Sequence, residues 1–124
     1  MSPETLLLRQ AHPNFMNGLA ITSQVFMPFP KDDGELSAYD GDQIGAEDSF
    51  KHYTEVVGKE STSVWAVTKA EADGEGVTGG PAPLPDSPAH AKIDFGILPE
   101  KSCRKIAKRL KTIAQARGCQ YRPS

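Results

Sequence analysis

The sequence predicts an α+β domain, with a small, mostly antiparallel sheet of three to five short strands and two helices. Three observations carry that expectation. The last twenty-odd residues have a clean helical period, Ser63 to Lys69 alternates as a strand does, and 10 Pro with 11 Gly punctuate the rest. Punctuation that dense predicts many turns rather than a helical bundle.

The C-terminal helix is the clearest element. At about 100° per residue, Cys103, Ile106, Ala107, Leu110, Ile113 and Ala114 share a stripe about 120° wide. Lys101, Arg104, Lys105, Lys108, Arg109 and Lys111 fall opposite it. Pro99 suits the first helical position and Gly118 the C-terminal stop.

Earlier elements follow in order. Leu6 to Gln10 reads as an opening strand or a helical turn, ended by His12-Pro13. Ala20 to Phe29 is rich in β-branched and aromatic residues and reads as a strand, closed by Pro30. Lys31-Asp32-Asp33-Gly34 has turn chemistry, because Asp bonds nearby backbone and Gly takes positive φ. Leu36 to Tyr39 is a short strand before a second turn, Asp40-Gly41-Asp42. Residues 46–57 predict a helix with Phe50, Tyr53 and Val57 on one face, His52 on the exposed face and Gly58 as its stop. In Ser63 to Lys69, Val64, Ala66 and Thr68 oppose Trp65 and Val67. Gly and Pro then crowd about 72–88, which predicts a long flexible loop before a strand from Ala89 to Phe95. The two helices are expected to pack on one face of the sheet.

At 124 residues the chain suits a single domain, 1–124, and 38% hydrophobic with 24% charged residues is ordinary for a globular protein. No apolar run reaches the length of a membrane span, and the N-terminus lacks the features of a signal peptide. Two cysteines, Cys103 and Cys119, fit structural thiols in a reducing cytoplasm. The spacings of a zinc site are missing, and no cofactor is expected. Charge is bipolar. Residues 1–99 hold fifteen acids and six bases, a net of −9, whereas eight bases lie between Lys101 and Arg122.

Several motifs fail on inspection. Asp40-Gly41-Asp42-Gln43-Ile44-Gly45 opens like a calcium loop, but Ile44 and Lys51 stand where acids are required. The glycines of 74–80 lack the Gly-Lys-Ser/Thr ending of a phosphate loop, and no Gly-x-Ser-x-Gly elbow is present.

The segments Leu8-Arg9-Gln10-Ala11-His12-Pro13, Ile21-Thr22-Ser23-Gln24-Val25-Phe26, Lys31-Asp32-Asp33, Leu36-Ser37-Ala38-Tyr39 and Ser87-Pro88-Ala89-His90-Ala91-Lys92-Ile93 form a pattern. It resembles a family of small uncharacterised bacterial proteins that share an Arg-x-x-His/Asn-Pro opening, a Ser/Thr-Ser-x-x-Phe strand, a Leu-Ser segment and a Pro-Ala-His-Ala stretch. The resemblance runs through Phe95 and the basic last helix, implies a bacterial cytoplasmic protein and no nameable activity, and marks Arg9, His12, Ser23, Phe26 and His90. An Arg-bearing strand followed by a Ser-bearing one is faintly similar to ADP-ribosyltransferase-type folds, with no glutamate assignable to catalysis.

Three functions follow as expectations. The leading one is a non-enzymatic binding or regulatory module acting through a protein partner, suggested by the charge asymmetry. The second is a small enzyme acting on an anionic, phosphate- or nucleotide-like substrate, with Arg9 as anion-binding group, His12 and His90 as bases and Ser23 as hydroxyl. The third is nucleic-acid binding through Lys101, Arg104, Lys105, Lys108, Arg109 and Lys111, disfavoured by the pI near 5.9 and by the lack of interleaved aromatics.

Overall fold

The computed structural model describes residues 1–124 as an α+β domain. Four strands, β1 (Leu6–Ala11), β2 (Met16–Asn17), β3 (Ala20–Ile21) and β4 (Glu35–Asp40), precede helix α1 (Ala46–Lys51), and β5 (Ser63–Thr68), α2 (Lys69–Gly74), β6 (Thr78–Pro81), β7 (His90–Asp94) and α3 (Glu100–Arg117) follow in order. The main sheet has the order β5-β1-β4-β7-β6, antiparallel throughout, and β2-β3 is a separate short ribbon.

Leu6–Ala11 is a strand, the second in the sheet, paired along its whole length with β5. Its period-2 alternation splits the sheet into two faces. Leu7, Ala11, Trp65, Val67, Leu36, Ala38, Ala91 and Ile93 point to an inner face. There they meet Cys103, Ile106, Ala107, Leu110 and Ala114, the apolar stripe of α3. Trp65 is 2% exposed, and its indole N–H donates to Ser63 Oγ at 2.8 Å. Leu8, Tyr39, Val64 and Ala66 point to the outer face, where Phe50 and Tyr53 cover them. The two helices therefore sit on opposite faces of the sheet, and the expectation of one shared face is corrected. Hydrophobic periodicity says which stripe of a helix is buried but not which side of the sheet receives it.

Other expectations change as well. Ala20 to Phe29 is not one strand: after β3 the chain winds into a 3-10 turn, Ser23–Phe26, that buries Val25 and Phe26. The Thr22 hydroxyl and amide both bond Phe15 O at 2.9 Å, bending the chain out of the sheet. The helix over 46–57 is α-helical only to Lys51 and continues as a π turn, His52–Val56, with Val57 N–H bonding His52 O. That wider turn shifts the helical phase, so Val57 is 45% exposed and His52 turns inward.

The region 72–88 is only partly loop. Thr68 and Glu71 make reciprocal side-chain caps that start α2, and Thr78–Pro81 pairs with β7 as an edge strand. Pro81 is tolerated there because an edge strand leaves one side of its backbone unpaired. After α3 the chain returns to the sheet at a single bridge, Tyr121 to Val64. Pro99 caps α3 rather than opening it, and Gly118 stops it at φ 99°.

Candidate functional site

Chemistry accessible at the surface concentrates around α3 and the segment that packs on its start. Met27, Pro28, Phe29 and Pro30 run past the first turn of α3 and, with Leu98, Cys103 and Arg104, enclose a cleft of about 470 Å³. The turn Pro30–Asp32 fixes one wall, with Phe29 N–H bonding Asp32 Oδ2 at 2.7 Å. Asp33 at φ 50° and Gly34 at φ 78° then reverse the chain beneath it. A side chain at Gly34 would stand 2.2 Å from Gly96 O, so glycine is required for the two backbones to meet there. Beside the cleft, Ile97 is 104% exposed and Leu98 40%.

The charges of α3 sort by residue type. Arg104 Nη2 meets Glu100 Oε1 at 2.6 Å, and Arg109 pairs with Glu75. Arg117 holds Glu71 through two bonds, 2.7 and 2.9 Å, and also donates to Ala66 O. This fork pulls the Glu71 carboxyl below its usual range and raises the Arg117 guanidinium. Lys101, Lys105, Lys108 and Lys111 make no ion pair within the chain. Lys101, Arg104, Lys108 and Lys111, spaced i, i+3, i+7 and i+10, form one row that starts at the cleft, with Lys105 beside it.

The four residues of the enzymatic reading do not share a pocket. Ser23 lines the cleft, on the inner side. His90 lies on the outer side, in a shallower depression of about 360 Å³ with Asp32, Glu35, Ser37, Ala82, Leu84 and Lys92. His12 caps a short turn, Nδ1 accepting from Asn14 N–H at 3.0 Å, and its Nε2 faces Glu60. Leu8, Tyr39 and His90 are register neighbours across β1, β4 and β7. By strand spacings, His12 and His90 are therefore about 16 Å apart.

Arg9 serves the backbone. β1 pairs with β4 only at Leu7 and Leu8, and beyond them Arg9 Nη1 donates to Ser37 O at 2.6 Å and Nε to Val25 O at 2.8 Å. Burial lowers its pKa to about 10, against the opposing pull of Tyr53 and Asp32. Phe26 is a core residue. In the outer depression Lys92 is held by Glu35 at 2.5 Å and by Asp94 at 3.9 Å, and acids outnumber bases. His90 Nδ1–H donates to Ala82 O at 2.8 Å. The one lysine there is already paired, so no free ammonium faces an anion.

One pairing was missed from sequence. Tyr39 Oη and His52 Nδ1 are 2.7 Å apart, with rings edge to face, and burial and then Tyr53 push the Tyr39 phenol up to about 12. No spacing signal links residues thirteen apart on a strand and a π turn.

Both cysteines are free thiols, and no group of three His, Cys, Asp or Glu side chains is arranged to hold a metal. No helix is long and apolar enough to cross a membrane. Compared with family models, curated proteins and solved structures, the chain matches none, so its geometry carries the functional reading.

Proposed function

We propose that the chain is a cytoplasmic, non-enzymatic binding or regulatory module that engages an acidic segment of a protein partner through the lysines of α3. The observation that carries this reading is that Lys101, Lys105, Lys108 and Lys111 have no ionic partner in the chain. Like charges three and four apart on a helix repel by a few tenths of a kcal/mol per pair. The remainder of the chain carries an excess of acids that could relieve this repulsion, and its folding leaves the lysines bare. A partner's carboxylates relieve it instead, with long-range attraction that hastens encounter.

The separation of Arg9, His12, Ser23 and His90 argues against the enzymatic alternative. The acidic body and the lack of an aromatic residue among the lysines argue against nucleic acid.

The test is fluorescence anisotropy of the full chain with a short labelled peptide of Glu, Asp, Ser and Gly, beside a DNA duplex of matching length. The peptide is expected to bind saturably at low salt, weaken as salt rises, and lose about tenfold or more in affinity when Lys101, Lys105 and Lys108 are changed to Glu. Absence of peptide binding overturns the proposal. A duplex that binds more tightly than the peptide assigns the lysines to nucleic acid.

A further inference from the structure

We infer that the cleft at the start of α3 receives a bulky apolar side chain, Leu, Met or Phe, carried by the same acidic segment. This rests on the reading above and deepens it. The two surfaces are continuous, because Arg104 is at once a wall of the cleft and a member of the basic row. A peptide lying along Lys111, Lys108 and Lys101 therefore passes over the opening.

The cleft has the form of an anchor site. Pro28 is buried and Met27 and Phe29 are half-buried, so this wall is apolar and partly desolvated before anything binds, while Ser23, Gln24, Glu100 and Arg104 give the lining its polar groups. Two prolines and the backbone-to-backbone contact at Gly34 and Gly96 restrict its movement, which lowers the ordering cost of binding. At the rim the chain exposes Ile97 fully and Leu98 substantially. Adjacent exposed aliphatics next to an apolar recess, rimmed by charge, are the arrangement of a recognition surface.

Charge selects the occupant. The Glu100–Arg104 pair at the mouth is exposed on both sides, 71% and 61%, and such pairs are weak enough for an incoming carboxylate to exchange with Glu100. The lysines beyond it, Lys101, Lys105, Lys108 and Lys111, lack such partners, so the flanks of the anchor residue are acidic.

The experiment compares two labelled peptides on the full chain, identical in acidic residues and differing in one central position, Leu or Gly. The Leu peptide is expected to bind about tenfold more tightly, the order of burying one Leu side chain. That ratio should fall to near one in the Ile97→Ser/Leu98→Ser variant, whose changes lie on exposed residues. Lys101→Glu/Lys105→Glu should weaken both peptides and leave the ratio. Equal binding of the two peptides by the unmodified chain overturns the anchor site while the charge reading stands. Failure of both peptides to bind overturns both. Self-association of the chain that Ile97→Ser abolishes assigns the cleft to a second copy and overturns the inference.

Discussion

The two ends of α3 share a sequence character and behave as opposites. Toward its C-terminus the helix is bolted to the body of the domain: Arg117 holds Glu71 of α2 and Ala66 of β5, Gln115 accepts from Ile21 N–H of β3, and Arg109 reaches Glu75. Toward its N-terminus, Lys101, Lys105 and Lys108 stand free above a cleft. The division follows chemistry. The arginines of α3 each have an acid partner, as suits a planar fork that meets carboxylates in fixed geometry, whereas the lysines have none. A count of six positive charges on one helical face thus overstates the free charge, because Arg104 and Arg109 already have partners.

The contrast can be broken most severely at the anchored middle. Leu110 is wholly buried against the sheet, so Leu110→Ala should cost about 2–5 kcal/mol, read as a lower urea midpoint with unchanged slope. An effect under about 1 kcal/mol would mean that α3 does not hold the core.

Glu71→Gln comes next. It removes the charge and one acceptor of the fork to Arg117 while leaving an amide oxygen to cap α2 at Thr68 N–H, and should cost about 1 kcal/mol at neutral pH. The folded Glu71 pKa is lowered, chiefly by Arg117, so its stabilisation is complete above the unfolded carboxyl value, about 4.3, and drains as pH falls through the folded value. Urea unfolding across that acid range should show a shallower loss in Glu71→Gln than in the unmodified chain.

The smallest effect belongs to the free end. Lys108→Ala should leave the thermal midpoint unchanged or slightly raised, since only repulsion is lost. A marked drop would show that this lysine, too, is structural.

Legibility followed the range of the forces involved. The α3 stripe and the β5 alternation are local periodicities enforced by one buried face, and both could be read directly. Ala20 to Phe29 has strand composition, yet a tertiary bond from Thr22 to Phe15 and the pull of α3 on Val25 and Phe26 wind it into a turn. The segment Thr68-Lys69-Ala70-Glu71 carried a capping-box signal that the following glycines and prolines masked. Thr78-Gly79-Gly80-Pro81 has no strand propensity and becomes β6 because β7 offers a free edge. The candidate site was half legible. The basic residues are visible in the sequence, but their sorting into paired and free depends on Glu75 and Glu100, and the cleft depends on Met27 to Phe29, whose composition reads as a strand, and on Pro30 that closes it.

Trp65 is the sole tryptophan, and its burial on the inner face has a practical consequence. With its indole held by Ser63 inside the layer that α3 covers, the chain contains one built-in fluorophore for the integrity of that layer. Its emission should shift to the red when α3 detaches and stay constant when a ligand settles on the lysines outside. The same optical channel thus separates a variant that has lost its fold from one that has lost only its grip.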